Sequence, residues 1–182
     1  MPRLLALIAA DPWRMACLAQ LAELHLPDAW LAAGFVRNRV WDALHGDGRT
    51  TPLADVDLIY FDPSPGTVTA MLAQEQALQD SLCRSLPAVP WQVRNQARMH
   101  LRNGHAPYGD CLAALGHWPE QETAVAVRLD GQGQLAGISA FGLASLFAGR
   151  LTRNPCCPPA LFARRLADKA WLRQWPGLRV CL

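Results

Sequence analysis

Two aspartates separated by a single residue stand at the start of an apolar segment of the chain. Residues 56–61 are β-branched, apolar or aromatic and predict a strand, so Asp55 and Asp57 share one face of it, about 6.5–7 Å apart. Two carboxylates that close repel each other unless a cation lies between them. Because Mg²⁺ commonly binds one or two carboxylates together with substrate phosphates, the pair indicates a metal–phosphate site. For an isolated pair, the favoured alternative is that the aspartates cap turns or pair with arginine.

A glycine at the start of a predicted helix supplies a second feature. Gly34 follows a short apolar run, and residues 35–44 have apolar residues at helical spacing. Glycine lets the backbone approach a ligand closely, and a helix N-terminus presents free N–H groups that bind anions. Arg37 and Asn38 lie in the first turn or so, within reach of the same anion. The alternative is an ordinary tight turn with a solvated arginine and a surface pair of Asn38 with Asp42.

The last predicted helix carries a regularly spaced row of basic residues. Arg165, Lys169 and Arg173 recur every four residues and form one basic ridge. With an aspartate beside them and a net charge near neutral, the row predicts a solvated helix face, and contact with RNA is the alternative. Trp91 and Trp118 lie beside polar residues, where packing is favoured over stacking on a base.

The elements that must position these residues alternate between helices and strands. Helices are predicted as two segments within residues 3–25, then over 35–44, 67–86, 111–115 and 159–175, with one or two turns within 142–148. Strands are predicted over 56–61 and 91–99, and a hairpin over 124–129 and 134–139. This order indicates an α+β (mixed α/β) fold, a mixed sheet flanked by helices with a C-terminal helix. One domain over 1–182 is expected, with N-terminal helices at 1–27, a core at 28–150 and a C-terminal helical segment at 151–182.

Composition narrows the class of protein. The chain has 182 residues, a formal net charge of +2 and 51% hydrophobic residues, which excludes wholesale disorder. The net charge neither demands nor excludes a nucleic acid partner. No apolar run approaches the roughly 18 residues of a membrane span, so no membrane partner is expected. The six cysteines contain no C-x-x-C pair and are expected to be reduced in a cytoplasmic protein. Metal-binding His and Cys spacings are absent, so zinc is not expected.

Four segments, taken in order, carry a resemblance to a known family. They are Gly34-Phe35-Val36-Arg37-Asn38-Arg39-Val40-Trp41-Asp42, Asp55-Val56-Asp57-Leu58-Ile59-Tyr60-Phe61-Asp62, residues 90–100 and Trp118-Pro119-Glu120. The chain resembles the small bacterial nucleotidyltransferase-family proteins of unassigned substrate, and the resemblance covers roughly residues 25–176. That family is similar to the nucleotidyltransferase superfamily, which has a mixed sheet flanked by helices. Its signature is a glycine turn, a D-x-D strand and a third acidic residue on a neighbouring strand.

The resemblance implies a role for each matching position. Gly34 and Phe35 would form the glycine turn that holds nucleotide phosphates, and Asp55 and Asp57 would bind the metal. The neighbouring strand would be residues 91–99, with Asn95 near the expected third acid. The chain departs from the pattern because that strand has no carboxylate and Phe35 replaces a small residue.

The resulting hypothesis is an enzyme that uses Mg²⁺, or Mn²⁺, to move NMP from an NTP to an unknown acceptor, which is a small molecule, an RNA or a protein. Asp55 and Asp57 would be both catalytic residues and metal ligands. The predicted nucleotide-binding residues are Gly34, Phe35, Arg37, Asn38, Asn95 and Arg98, with Arg94 as a further phosphate contact and Asp62, Asp110 and Glu122 as spare acids. The alternative is a catalytically weak or inactive protein of this fold that binds nucleotide as a sensor or partner-binding module. A metal-dependent phosphodiesterase or nuclease ranks last.

Overall fold

A five-stranded mixed sheet forms the centre of the fold. The computed structural model describes residues 1–182 except 47, 49 and 65. The strands lie in the order β3-β2-β1-β4-β5, in which only β2 and β3 run parallel. The bounds are β1 Trp30–Ala32, β2 Val56–Tyr60, β3 Trp91–Asn95, β4 Val125–Leu129 and β5 Leu135–Ser139. The predicted mixed sheet and the late hairpin are confirmed.

Helices flank this sheet and connect its strands. Their bounds are α1 Pro2–Ala9, α2 Pro12–Glu23, α3 Gly34–His45, α4 Val68–Ser85, α5 Met99–Asn103, α6 Cys111–Leu115, α7 Ala144–Phe147, α8 Pro159–Lys169 and α9 Trp171–Gln174. The α+β class follows directly from this order. Within the described residues no single helix is long and apolar enough to cross a membrane; α1 and α2 reach that length and composition only together, and they are bent by 99° at their junction.

The alternation of side chains along β2 divides its residues between two apolar clusters. Leu58 and Tyr60 are fully buried in the main core, together with the apolar face of α3. Ile59 lies in a smaller cluster on the opposite face. Because residues two apart on a strand share a face, Asp57 lies on the Ile59 side. The main core therefore fixes which way the aspartates point.

Two of the predicted elements end earlier than expected. The predicted strand over 91–99 stops at Asn95, because the Asn95 side chain accepts a hydrogen bond from the Ala97 N–H and starts a 3₁₀ turn over Gln96–Arg98. The predicted helix over 159–175 breaks at Ala170, which has a φ of +51°. The break separates α8 from α9.

The two tryptophans that follow this break pack against α3. Trp171 and Trp175 both contact Trp41 of α3, with ring centroids 6.2 and 5.1 Å apart. The chain then forms a two-stranded parallel sheet, β6 Arg150–Thr152 with β7 Arg179–Cys181, which the sequence did not predict. The C-terminal segment is thereby held against the core.

Candidate active site

Asp55 and Asp57 line one cavity of about 270 Å³ at the start of β2. Asp55 directly precedes the strand and Asp57 lies within it. Across the sheet, Asp57 is paired with Ala32 of β1 on one side and with Gln92 of β3 on the other. The two carboxylates therefore share a face, as their spacing predicts.

The electrostatic state of the pair reflects its crowding. Burial and, next, the nearby charge of Asp55 raise the pKa of Asp57, whereas Arg37, Lys169 and Arg94 lower it, and the net result is a pKa of about 6. Among the described residues, neither carboxylate makes a hydrogen bond or an ion pair. Two close carboxylates without a cationic partner in contact are a suitable donor set for a divalent cation.

A turn of two small residues lines the same cavity. Ala33 has φ +56° and ψ −123°, a conformation that L side chains rarely adopt, and it immediately precedes α3. Gly34 is the first residue of that helix and lines the cavity with Ala33. The first N–H groups of a helix have no partner within it, and the helix dipole favours an anion there.

The space around Gly34 can hold a small side chain. A Cβ added to Gly34 would have no neighbour closer than Leu53 at 3.5 Å, followed by the side chains of Arg37 and Asn38. The fold itself therefore has space for a methyl group at this position. That methyl would stand beside Arg37, in the part of the cavity next to the helix N-terminus.

Phe35 does not line the cavity with its side chain. Its side chain is fully buried in the main core and lies 5.9 Å from the ring of Trp13. Its carbonyl accepts a hydrogen bond from Arg14 Nε at 2.8 Å. The small residues that face the cavity are Ala33 and Gly34, so Phe35 contributes only its backbone to the start of α3.

Arg37 reaches the cavity from the first turn of α3 and is almost completely buried. Its Nη1 donates to Thr123 Oγ1 at 2.7 Å, and its Nε and Nη2 donate to Asn38 Oδ1 at 3.2 and 3.0 Å. The guanidinium also lies over the rings of Trp171 and Trp41, 4.6 and 4.9 Å from their centroids. Burial lowers the pKa of Arg37 to about 10, so the group is charged at neutral pH. Asn38 holds Arg37 and does not itself line the cavity.

A buried carboxylate connects Arg37 with α8. Thr123 donates its hydroxyl to Glu120 Oε2 at 3.0 Å, and Glu120 is fully buried. Arg165 of α8 donates to the two oxygens of Glu120 at 2.5 and 3.1 Å. This chain of contacts fixes Arg165 and Arg37 relative to each other, because both are tied to the same carboxylate.

On the basic face of α8, Lys169 is exposed as the solvated-face interpretation predicts, whereas Arg165 is partly buried and pairs with Glu120. Arg165 and Lys169 line the cavity with the two aspartates, whereas Arg173 lies on α9 and is exposed. Their four-residue spacing was the signal, since it places both on one side of a helix. The spacing does not say where that side of the helix faces. The long-range contact of Arg165 with Glu120 directs it toward the cavity.

Two tryptophans border the same cavity. Trp118 is partly exposed and Trp171 is buried, and both contribute to its lining. Trp91, by contrast, is buried in the main core, as the packing interpretation predicts.

Several predicted residues lie elsewhere. Asn95 bonds the backbone of Asp62 through both its amide atoms, at the far end of β3. Arg94 pairs with Glu75 at 3.5 Å, and Arg98 lies beyond the end of β3, outside the cavity. The β3 residue beside Asp57 is instead the neutral Gln92.

The spare acids do not complete a metal shell. The side chains of Asp62, Asp110 and Glu122 accept hydrogen bonds from the backbone N–H groups of Ser64, Ala113 and Thr152. Within the described part of the chain, no group of three or more His, Cys, Asp or Glu side chains is arranged to hold a metal ion. Among the described residues, the cavity therefore offers two carboxylates and no third.

A helix N-terminus, paired carboxylates and three cations facing one cavity are typical of proteins that bind phosphorylated ligands. The chain belongs to the nucleotidyltransferase family, whose model, described as nucleotidyltransferase, matches residues 19–180. The resemblance identified in the sequence is thereby confirmed. No functionally curated protein matches the chain in sequence.

Solved structures share the fold. An NMR structure described as revealing a CCA-adding enzyme head domain is 28% identical, with a TM-score of 0.83 over 99% of this chain and 95% of that chain. A CCA-adding enzyme in complex with CTP is 13% identical with a TM-score of 0.56 over 96% of this chain, and a tRNA-processing enzyme complex is 16% identical with a TM-score of 0.53 over 90%. This chain spans 42% of each of those two longer chains.

Proposed function

We propose that this protein is a nucleotidyltransferase that uses Mg²⁺, or Mn²⁺, to transfer NMP from an NTP to an acceptor. The observation that carries the proposal is the pair Asp55 and Asp57, which lie in the same cavity as Gly34 and whose carboxylates have no hydrogen-bond or ion-pair partner among the described residues. Carboxylate oxygens are the donors that Mg²⁺ prefers, so the residues present fit this metal. A bound ion held by these two residues would neutralise charge on the triphosphate and on the departing pyrophosphate.

The chain's own residues supply the rest of the phosphate site. The N–H groups at the start of α3 would donate to phosphate oxygens, and the Ala33-Gly34 turn leaves room for their approach. Arg37 and Lys169 bring positive charge to the same cavity, where water is partly excluded and charge interactions are stronger. Trp118 borders the cavity and would stack on a base.

One observation favours a second candidate, nucleotide binding without turnover. Gln92 occupies the β3 position beside Asp57, where a third carboxylate would help bind a second metal or take a proton from the acceptor. An amide cannot take that proton at neutral pH, and its neutral oxygen binds a metal ion more weakly than a carboxylate does. The two candidates share the same nucleotide site and differ only in the chemical step.

The test is a calorimetric titration of the protein with each of the four NTPs in the presence of Mg²⁺. We expect Asp57→Asn to weaken binding at least about tenfold, a loss of about 1.4 kcal/mol. Asp80→Asn, an exposed aspartate on α4, is the matched control and should bind like the wild type. Equal affinity in the wild type and Asp57→Asn would contradict the proposed site.

Turnover separates the two candidates. Incubation with labelled NTP, Mg²⁺ and a panel of small-molecule, RNA and protein acceptors should release pyrophosphate only if the protein is an enzyme. Gln92→Glu restores a carboxylate beside Asp57 and is expected to raise the rate of pyrophosphate release if the missing acid limits it. Tight binding with no release from any acceptor, in either variant, would support the binding role.

A further inference from the structure

A second groove lies at the end of β3 and shares no lining residue with the catalytic cavity. It has a volume of about 420 Å³ and runs between the first turns of α4 and α5. Val68 and Leu72 of α4 and Leu101 of α5 line it, and these side chains are 51%, 53% and 67% exposed. Apolar side chains that cluster on a surface in this way mark an interaction site more often than single exposed ones do.

The groove exists because α4 extends beyond the sheet. Farther along α4, Glu75 and Leu82 are buried against β3, which is the edge strand. Since β3 ends at Asn95, the first turns of α4 have no strand beneath them. Val68, Leu72 and Glu75 follow helical spacing, so the apolar stripe continues past the part of the helix that the sheet covers.

Charge in the groove is predominantly positive. Arg94, Arg98 and Arg102 line it, and among the described residues that line it the only carboxylate is that of Glu75, which pairs with Arg94. In the described part of the chain, Arg98 and Arg102 have neither a hydrogen bond nor an ion pair. These two arginines therefore lie beside the apolar stripe, where carboxylates of a partner protein would form ion pairs with them.

These features favour a protein segment over a nucleic acid. Single-stranded nucleic acids bind where aromatic rings stack on bases, and none of the described residues that line this groove is aromatic. A helix that carries leucine-like residues at a spacing of three and four, with carboxylates along its edges, matches an apolar groove bordered by arginines.

We propose that this groove docks an acidic amphipathic helix of a partner protein. The proposal does not depend on the nucleotidyltransferase activity. Gln92, which lines the catalytic cavity, and Arg94, which lines the groove, are two residues apart on β3. A helix bound in the groove would therefore lie next to the strand that borders the active site.

The test uses a fluorescein-labelled synthetic helix of about 16 residues, with leucines spaced three and four apart and glutamates on its edges. We expect saturable binding by fluorescence anisotropy, and at least about tenfold weaker binding of a peptide in which lysines replace the glutamates. Leu101→Ser and Arg102→Glu should each weaken binding of the acidic peptide by a similar factor. Leu112→Ser, which changes a 40% exposed leucine on α6 outside the groove, is the matched control.

Other occupants would overturn the proposal. Absence of binding up to about 1 mM protein, or equal binding by wild type and Leu101→Ser, would exclude an acidic helix. A wild-type dimer that Leu101→Ser converts to a monomer would show that a second copy fills the groove. Tighter binding of a single-stranded RNA than of the acidic peptide, lost in Arg102→Glu, would assign the surface to nucleic acid. Because Leu101 and Arg102 are both exposed, circular dichroism of the variants should match the wild type.

Discussion

The ion pair between Glu120 and Arg165 gives an ordered set of stability predictions. Glu120 is fully buried and accepts hydrogen bonds from Arg165 and Thr123, whereas the Arg165 side chain is 28% exposed. Removing one partner of a buried pair leaves the other charge uncompensated. The cost should therefore depend on which charge is left behind.

Arg165→Met leaves a carboxylate with no access to water, and the expected loss of stability is about 3–4 kcal/mol. Glu120→Gln leaves an arginine that can still reach solvent, so the expected loss is smaller, about 1–2 kcal/mol. The double variant removes both charges. It should therefore be more stable than Arg165→Met alone, with a coupling of about 1–3 kcal/mol.

Urea unfolding monitored by circular dichroism measures all four proteins at pH 7. The wild type, the two single variants and the double variant form a thermodynamic cycle. Equal losses of stability in Arg165→Met and Glu120→Gln, or additive losses in the double variant, would show that the burial of Glu120 does not set the cost of breaking this ion pair.

Three further predictions concern the cavity itself. The pKa of Asp57 is raised from 3.8 to about 6, so the folded protein binds this proton more strongly than the unfolded chain does. The free energy of unfolding should therefore fall as the pH rises from about 4 to 7. Asp57→Asn should remove that part of the pH dependence in urea unfolding curves. Gly34→Ala should change the melting temperature by only a few degrees, since its nearest contact is 3.5 Å, yet weaken NTP binding at least about tenfold in calorimetry; unchanged affinity would contradict the proposed phosphate cradle. Lys169→Met should weaken NTP binding and steepen its dependence on Mg²⁺, whereas the exposed Arg173→Met should not; equal effects would exclude a specific role for Lys169.

Local periodicity accounts for what could be predicted from the sequence. The two-residue repeat of a strand places Asp55 and Asp57 on one face, and that needs no knowledge of the rest of the fold. The helix after Gly34 and the late hairpin are likewise encoded by adjacent residues. These features were sufficient to predict the fold class, whereas the family was identified from the resemblance of four sequence segments.

Contacts between distant segments could not be predicted in the same way. Which β3 residue lies beside Asp57 depends on strand register, and a shift of three positions separates Gln92 from the expected Asn95. The direction in which Lys169 points depends on the pairing of Arg165 with a carboxylate 45 residues earlier in the chain. The small sheet of β6 and β7 likewise joins segments about 30 residues apart, as the pairing of Arg150 with Arg179 shows.

Arg37 has a consequence for how the protein responds to its ligand. In the described part of the chain its guanidinium touches a hydroxyl, an amide oxygen and two indole rings, all of them neutral, so its counter-ion is not supplied by direct contact with the protein. An entering anion would supply that counter-ion and favour the folded state by linkage. Thermal protection should consequently rise with the number of phosphates, from nucleoside to monophosphate to triphosphate, even before any metal is added.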